Sequence, residues 1–82
     1  MVYKVFALPG GVCRFCEKAR DLLDRSGTTY EWVLVYDRKA RADIKTTAEM
    51  NTFPIIYEGS RLVGGYKELL AELHGDIPGV TF

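Results

Sequence analysis

The chain has 82 residues, 48% of them apolar, with 11 basic and 11 acidic side chains and a formal net charge of zero. This length supports one hydrophobic core, and a domain so small hides only about 60–65% of its unfolded surface. Zero net charge argues against a general binder of nucleic acid or of membrane surfaces, which needs an excess of Lys and Arg, and the apolar share is too high for a disordered chain.

Val2 to Leu8 is a β-branched and aromatic run with Lys4 as its only charge, and predicts a buried strand. Pro9-Gly10-Gly11 breaks it. From Cys13 the period changes: Phe15, Cys16, Ala19, Leu22 and Leu23 share one face at helical spacing, with Asp21 and Arg25 as an i,i+4 pair outside it. Gly27 suits the position just past this helix. Thr28 to Tyr36 reads as a second strand. Asp37 caps a polar helix running to about Met50 through Ala40, Ile44 and Ala48, while Thr46 and Glu49 offer a later capping box instead. Phe53-Pro54 precedes a third strand, Ile55 to Tyr57, and a turn at Glu58-Gly59-Ser60-Arg61 leads to a short fourth strand, Leu62-Val63. Gly64-Gly65 ends it, and Tyr66 to Leu73 forms the last helix, stopped by Gly75. The tail from Asp76 to Phe82 is expected on the surface.

The order is β-α-β-α-β-β-α. Two strands joined through a helix run parallel with a right-handed crossover, and the last two form an antiparallel hairpin. The expected fold is α/β: a four-stranded mixed sheet flanked by helices, one domain over residues 1–82.

No stretch approaches the ~20 apolar residues of a membrane span. The N-terminus lacks the form of a signal peptide, so a cytoplasmic location is expected. Two cysteines are too few for a disulfide-stapled secreted fold. With a single histidine, His74, they also fall short of a four-ligand zinc site unless carboxylates join, and no metal residues are assigned.

Cys13-Arg14-Phe15-Cys16 follows a strand and a glycine turn and opens a helix. There the helix N–H groups are unpaired and the macrodipole is positive, which favours a thiolate on Cys13. Arg14 adds a charge beside it. Cys16, one turn on and facing inward, is within reach of a disulfide. Cys13 is therefore the attacking thiol and Cys16 the resolving one. A thiol whose pKa falls from about 8.5 to about 5 gains roughly thirtyfold in thiolate at neutral pH. A Brønsted slope of about 0.4–0.5 returns a similar factor in nucleophilicity. The larger gain is a good leaving group, which suits rapid thiol exchange. Against this stand a plain reading, two half-buried structural cysteines, and a metal reading, in which two chains share a zinc or iron–sulfur centre.

The chain resembles a small dithiol glutaredoxin over about residues 2 to 74. Cys13-Arg14-Phe15-Cys16 is similar to the family's Cys-Pro-aromatic-Cys. Thr52-Phe53-Pro54 is similar to its Thr-Val-Pro, in which the proline is cis, and Gly64-Gly65-Tyr66-Lys67-Glu68-Leu69 to its Gly-Gly-x-x-acidic-Leu segment. The resemblance implies a thioredoxin-like fold and a monomeric thiol–disulfide oxidoreductase with no bound cofactor. Glutathione is then the co-substrate, and protein disulfides or glutathionylated proteins are the substrates, ribonucleotide reductase among them. It also implies that the Phe53 backbone bonds glutathione as an added strand. The start of the last helix then receives the γ-glutamyl carboxylate, and Glu68 its amino group. The implied ligand residues are Arg14, Phe15, Thr52, Phe53, Pro54, Gly65, Tyr66, Lys67 and Glu68.

Three departures bear on the ligand. Arg14 replaces the usual proline, Lys67 replaces a small residue, and the loop Leu8-Pro9-Gly10-Gly11-Val12 before Cys13 holds no base to meet the glycyl carboxylate. Arg14, Arg38, Arg41 or Lys45 are candidate substitutes. Two rival readings remain: a redoxin reduced by thioredoxin reductase, and an iron–sulfur or zinc carrier using Cys13 across a dimer.

Overall fold

A computed structural model of the chain describes residues 2–74; the expectations for Gly75 and the tail lie outside these residues. The elements are β1 (Val2–Ala7), α1 (Arg14–Ser26), β2 (Thr29–Leu34), α2 (Arg38–Ala48), β3 (Ile55–Glu58), β4 (Arg61–Gly64) and α3 (Tyr66–Leu73). They follow the expected order and form one sheet ordered β2-β1-β3-β4. β1 pairs parallel with β2, Val5 opposite Trp32, and antiparallel with β3, Val5 opposite Ile56. β3 and β4 form the antiparallel hairpin, with a register shift at Ile56 and Tyr57.

β1 corrects the expectation of a strand buried on both faces. Tyr3, Val5 and Ala7 are buried, whereas Val2 and Lys4 are exposed. The cause is unequal cover. Tyr3, Val5, Ile56 and Val63 pack against Ala19, Leu22 and Leu23 of α1 and Leu69 and Leu73 of α3. On the other side α2 brings Ala40, Ile44 and Ala48 to Ile55, Phe6 and Tyr57, leaving the sheet partly open. A continuous apolar run says that a strand is central, not that both faces are covered.

The helix ends follow local chemistry. Gly27, at φ 71°, closes α1 in the left-handed region that glycine enters freely. The Asp37 carboxylate caps α2 by accepting from the Ala40 N–H at 3.0 Å. The later capping box at Thr46 and Glu49 does not form. Glu49 instead terminates α2 with φ 55°, its N–H donating back to Lys45 and Thr46. β2 is shorter than expected; beyond it Val35 still donates one bond to the Ala7 carbonyl at 2.9 Å. The Asp21–Arg25 pair forms at 3.6 Å, but both side chains are exposed and such a pair is worth about 0–1 kcal/mol.

At the pole away from Cys13, a polar cluster ties β1, β3, β4 and α3 together. The Tyr3 hydroxyl donates to Glu72 at 3.0 Å, and Arg61 bridges Glu72 at 2.7 Å and Glu58 at 2.8 Å. Burial, then the bond to Glu72, pushes the Tyr3 phenol up to about 12. The Arg61 hydrogen bond holds the Glu72 carboxyl below its ordinary 4.5, with help from Tyr3. A carboxyl lowered on folding adds stability above its unfolded value and loses it as pH falls through its native value. Thermal unfolding followed by circular dichroism should therefore show a falling Tm between about pH 5 and about pH 3. Glu72→Gln should start lower at neutral pH and fall less over that interval.

Candidate active site

The turn after β1 uses two glycines in succession at positive φ, Gly10 at 85° and Gly11 at 71°. This reversal delivers Cys13 to the N-cap of α1 in an extended conformation. Its sulfur occupies the place usually taken by a Ser, Thr or Asp oxygen. The Cys16 N–H donates to Cys13 Sγ at 3.3 Å, and the Glu17 N–H bonds the Cys13 carbonyl at 3.2 Å. Cys13 is half-buried, whereas Cys16 is 1% exposed. The two form a disulfide, with Cα atoms 5.2 Å apart. The expected pairing of an outer and an inner sulfur is thus the observed arrangement. Cys13 Sγ also lies 3.6 Å from the Phe53 carbonyl oxygen, a contact that spans 40 residues of chain.

Phe53 joins Pro54 through a cis peptide bond and precedes β3, outside the β1–β3 ladder, which ends at Phe6 and Ile55. An open cleft of about 190 Å³ lies beside it, lined by Phe15, Met50, Thr52, Phe53, Pro54, Gly65, Tyr66, Lys67 and Glu68. Every ligand residue implied by the resemblance is in that wall except Arg14. Arg14 is the first helical residue, exposed next to Cys13 but away from the cleft.

The far wall depends on Gly64. Its φ is 124°, and a Cβ there would meet Cγ and Oε1 of Glu68 at 2.8 Å. Only glycine permits both the backbone and the approach. Glu68 Oε1 can then accept from the Gly65 N–H at 2.8 Å, which caps α3. Glu68 also lines the cleft.

Two neighbours escaped sequence reasoning. Met50 lies beyond the end of α2, and its methyl packs within 3.5 Å of where a Gly65 side chain would begin. Lys18 sets its ammonium 5.3 Å from the Phe15 ring centroid and 5.9 Å from that of Tyr66. The two rings themselves are 6.0 Å apart. Nothing in the spacing marked either residue, because both positions depend on how α1, α2 and α3 meet. Of the bases suggested for the glycyl carboxylate, Arg41 is engaged: its Nε donates to the Val35 carbonyl at 2.8 Å. Lys45 stands beside the cleft wall, its Nζ 5.6 Å from the Phe53 ring. Arg38 is exposed at the start of α2.

The fold has counterparts among solved structures. The solution structure of glutaredoxin from Brucella melitensis superimposes with a TM-score of 0.75 at 31% identity, covering 93% of this chain and 80% of that one. The crystal structure of glutaredoxin 1 from Francisella tularensis complexed with cacodylate gives 0.74 at 18% identity, covering 90% and 93%. That of the buckwheat glutaredoxin–glutathione complex gives 0.72 at 22% identity, covering 90% and 68%. A comparison with curated protein sequences returned no match. The glutaredoxin family model matches residues 2–63, well over half the chain and inclusive of the helix-capping dithiol, so the chain belongs to the glutaredoxin family.

Proposed function

We propose that the protein is a glutathione-dependent thiol–disulfide oxidoreductase acting through Cys13 and Cys16. The observation that carries this reading is the placement of Cys13 Sγ. It accepts the Cys16 N–H at the start of α1 and lies within 3.6 Å of the Phe53 carbonyl, at the edge of the cleft. The helix start favours a thiolate on Cys13 once the disulfide is reduced. The exposed backbone before β3 suits an extended peptide-like ligand. A related glutaredoxin was solved as a complex with glutathione, which supports glutathione as the occupant here.

The Cys13 thiolate attacks one sulfur of a substrate disulfide; that bond breaks, a Cys13 mixed disulfide forms, and the other substrate thiolate leaves. Cys16, giving its proton to solvent, attacks Cys13 Sγ, forming the intramolecular disulfide and releasing the second substrate thiolate. Two electrons have passed from dithiol to substrate. One glutathione thiolate then opens Cys13–Cys16 to a glutathione mixed disulfide on Cys13. A second attacks the glutathione sulfur, so glutathione disulfide departs and the Cys13 thiolate returns. The low basicity that makes Cys13 ionise also makes it the better leaving group in that last step. A glutathionylated protein enters directly at the mixed-disulfide stage, without Cys16.

The cleft residues support one orientation of the ligand. The N–H groups at the start of α3 and Lys67 meet the γ-glutamyl carboxylate, and the Glu68 carboxylate meets its amino group. Lys45, beside Phe53, meets the glycyl carboxylate in place of the missing base before Cys13. We place this monomer in a reducing cytoplasm, with ribonucleotide reductase one candidate protein substrate.

In an assay coupled to glutathione and its reductase, Cys13→Ser should abolish reduction of a small glutathione mixed disulfide. Cys16→Ser should retain measurable turnover; equal losses would contradict the assigned roles. Removing one exposed carboxylate contact worth about 1 kcal/mol raises KM roughly fivefold. Lys45→Gln should show that increase for glutathione with kcat little changed.

A further inference from the structure

Four cations away from the dithiol meet carboxylates: Lys4 pairs with Glu31, Arg25 with Asp21, Lys39 with Asp43, and Arg61 with Glu58 and Glu72. Two others are held without one, Arg20 over the Trp32 ring and Arg41 by the Val35 carbonyl. Beside the dithiol, three cations lie close together in the chain or on facing helix starts without a carboxylate partner among the described residues. Arg14 and Lys67 enter none of the ion pairs among the described residues, and Lys18 rests over the Phe15 and Tyr66 rings. The acids at this rim are Glu17, which is exposed on α1, and Glu68, which is partly committed to the Gly65 N–H. Apolar surface lies among these charges, with Val12 79% and Phe15 51% exposed on either side of Cys13.

Much of this ledge is outside the cleft. Val12, Arg14 and Lys18 line none of it. A ligand seated along Thr52–Pro54 and Gly65–Glu68 leaves those three side chains uncovered. A substrate large enough to reach them is a polypeptide. Three cations without carboxylates give a local positive potential on a chain whose net charge is zero. Such a rim attracts acidic segments, repels basic ones and acts mainly on association.

We propose that Val12, Arg14, Phe15, Lys18 and Lys67 form a docking ledge for the polypeptide around a substrate disulfide, selecting segments in which acidic side chains and an apolar one flank the reacting cysteine. This rests on the oxidoreductase reading and adds which protein disulfides are taken. The apolar neighbour covers Phe15 and Val12. The acidic neighbours meet the ammonium and guanidinium groups that have no carboxylate partner in the free protein.

The test uses two peptides with the same intramolecular disulfide and the same flanking leucine, one with Glu and one with Lys beside the cysteine. Reduction is coupled to glutathione and its reductase, and each kcat/KM is divided by that peptide's uncatalysed rate with glutathione. The acidic peptide should be favoured by roughly tenfold at low salt, shrinking to about twofold at about 0.5 M salt as exposed charges are screened. Lys18→Glu should lower the preference at least about threefold, as expected for a rim charge that steers association. Lys39→Glu, on α2 and outside the ledge, should leave it unchanged. Circular dichroism checks that each variant is folded. Equal normalised rates at low salt, or the same preference in Lys18→Glu, would overturn the proposal. If neither peptide is reduced while a small glutathione mixed disulfide is turned over, the ledge alone is refuted. If that small substrate also fails, the oxidoreductase reading falls with it.

Discussion

The N–H of Cys16 points at the sulfur of Cys13 across 3.3 Å, at the end of a helix where four such donors begin without partners. The residue types around this bond follow from its demands. The sulfur must sit at the cap and not within the helix, so the chain needs a reversal between β1 and α1, which Gly10 and Gly11 supply. The helix must be anchored, and Ala19, Leu22 and Leu23 hold it against Tyr3, Val5 and the α3 leucines. The second sulfur must be close but sheltered, and one helical turn places Cys16 inside the adjoining core with Ala7, Val35 and Ile55. A single backbone donor thus links the apolar stripe of α1 to the reactivity of one exposed-side sulfur.

The second half of the site comes from parts of the chain far from the dithiol in sequence. β3 runs beside β1, so the residues entering β3 arrive next to the end of β1, where the glycine turn also lies. β4 runs back beside β3, and α3 starts where β4 ends. Sheet order alone therefore brings Phe53, Gly65 and Cys13 to one pole. The opposite pole carries the Tyr3–Glu72–Arg61 cluster, where charges are paired. One end is thus a polar clamp, and the other holds cations without carboxylate partners around the sulfur.

The order of elements was legible in the sequence because each change of period is flanked by Gly, Pro or Asp. The dithiol, the Thr52–Pro54 segment and the Gly64–Glu68 segment were legible because each is a local pattern whose meaning the others reinforce. Burial of β1 was not, since a run such as Val2–Ala7 looks the same whether one face or two are covered; the partial cover from α2 decided it. The end of α2 was misleading for a different reason. Glu49 takes a left-handed conformation that a Gly or Asn would have announced. Arg14 shows that neighbours in sequence need not share a cavity, as its position at the first helical residue leaves it outside the cleft. Met50 and Lys18 reach the site only through the packing of separate helices, and no spacing rule connects them to it.

The proposed function requires the start of α1 to hold the reduced Cys13 sulfur as a thiolate. The direct measurement is the rate of alkylation of Cys13 by iodoacetamide across pH, in reduced protein carrying Cys16→Ser so that one thiol reports. The expected midpoint lies well below that of free cysteine, which is about 8.5. A profile that follows free cysteine would contradict it.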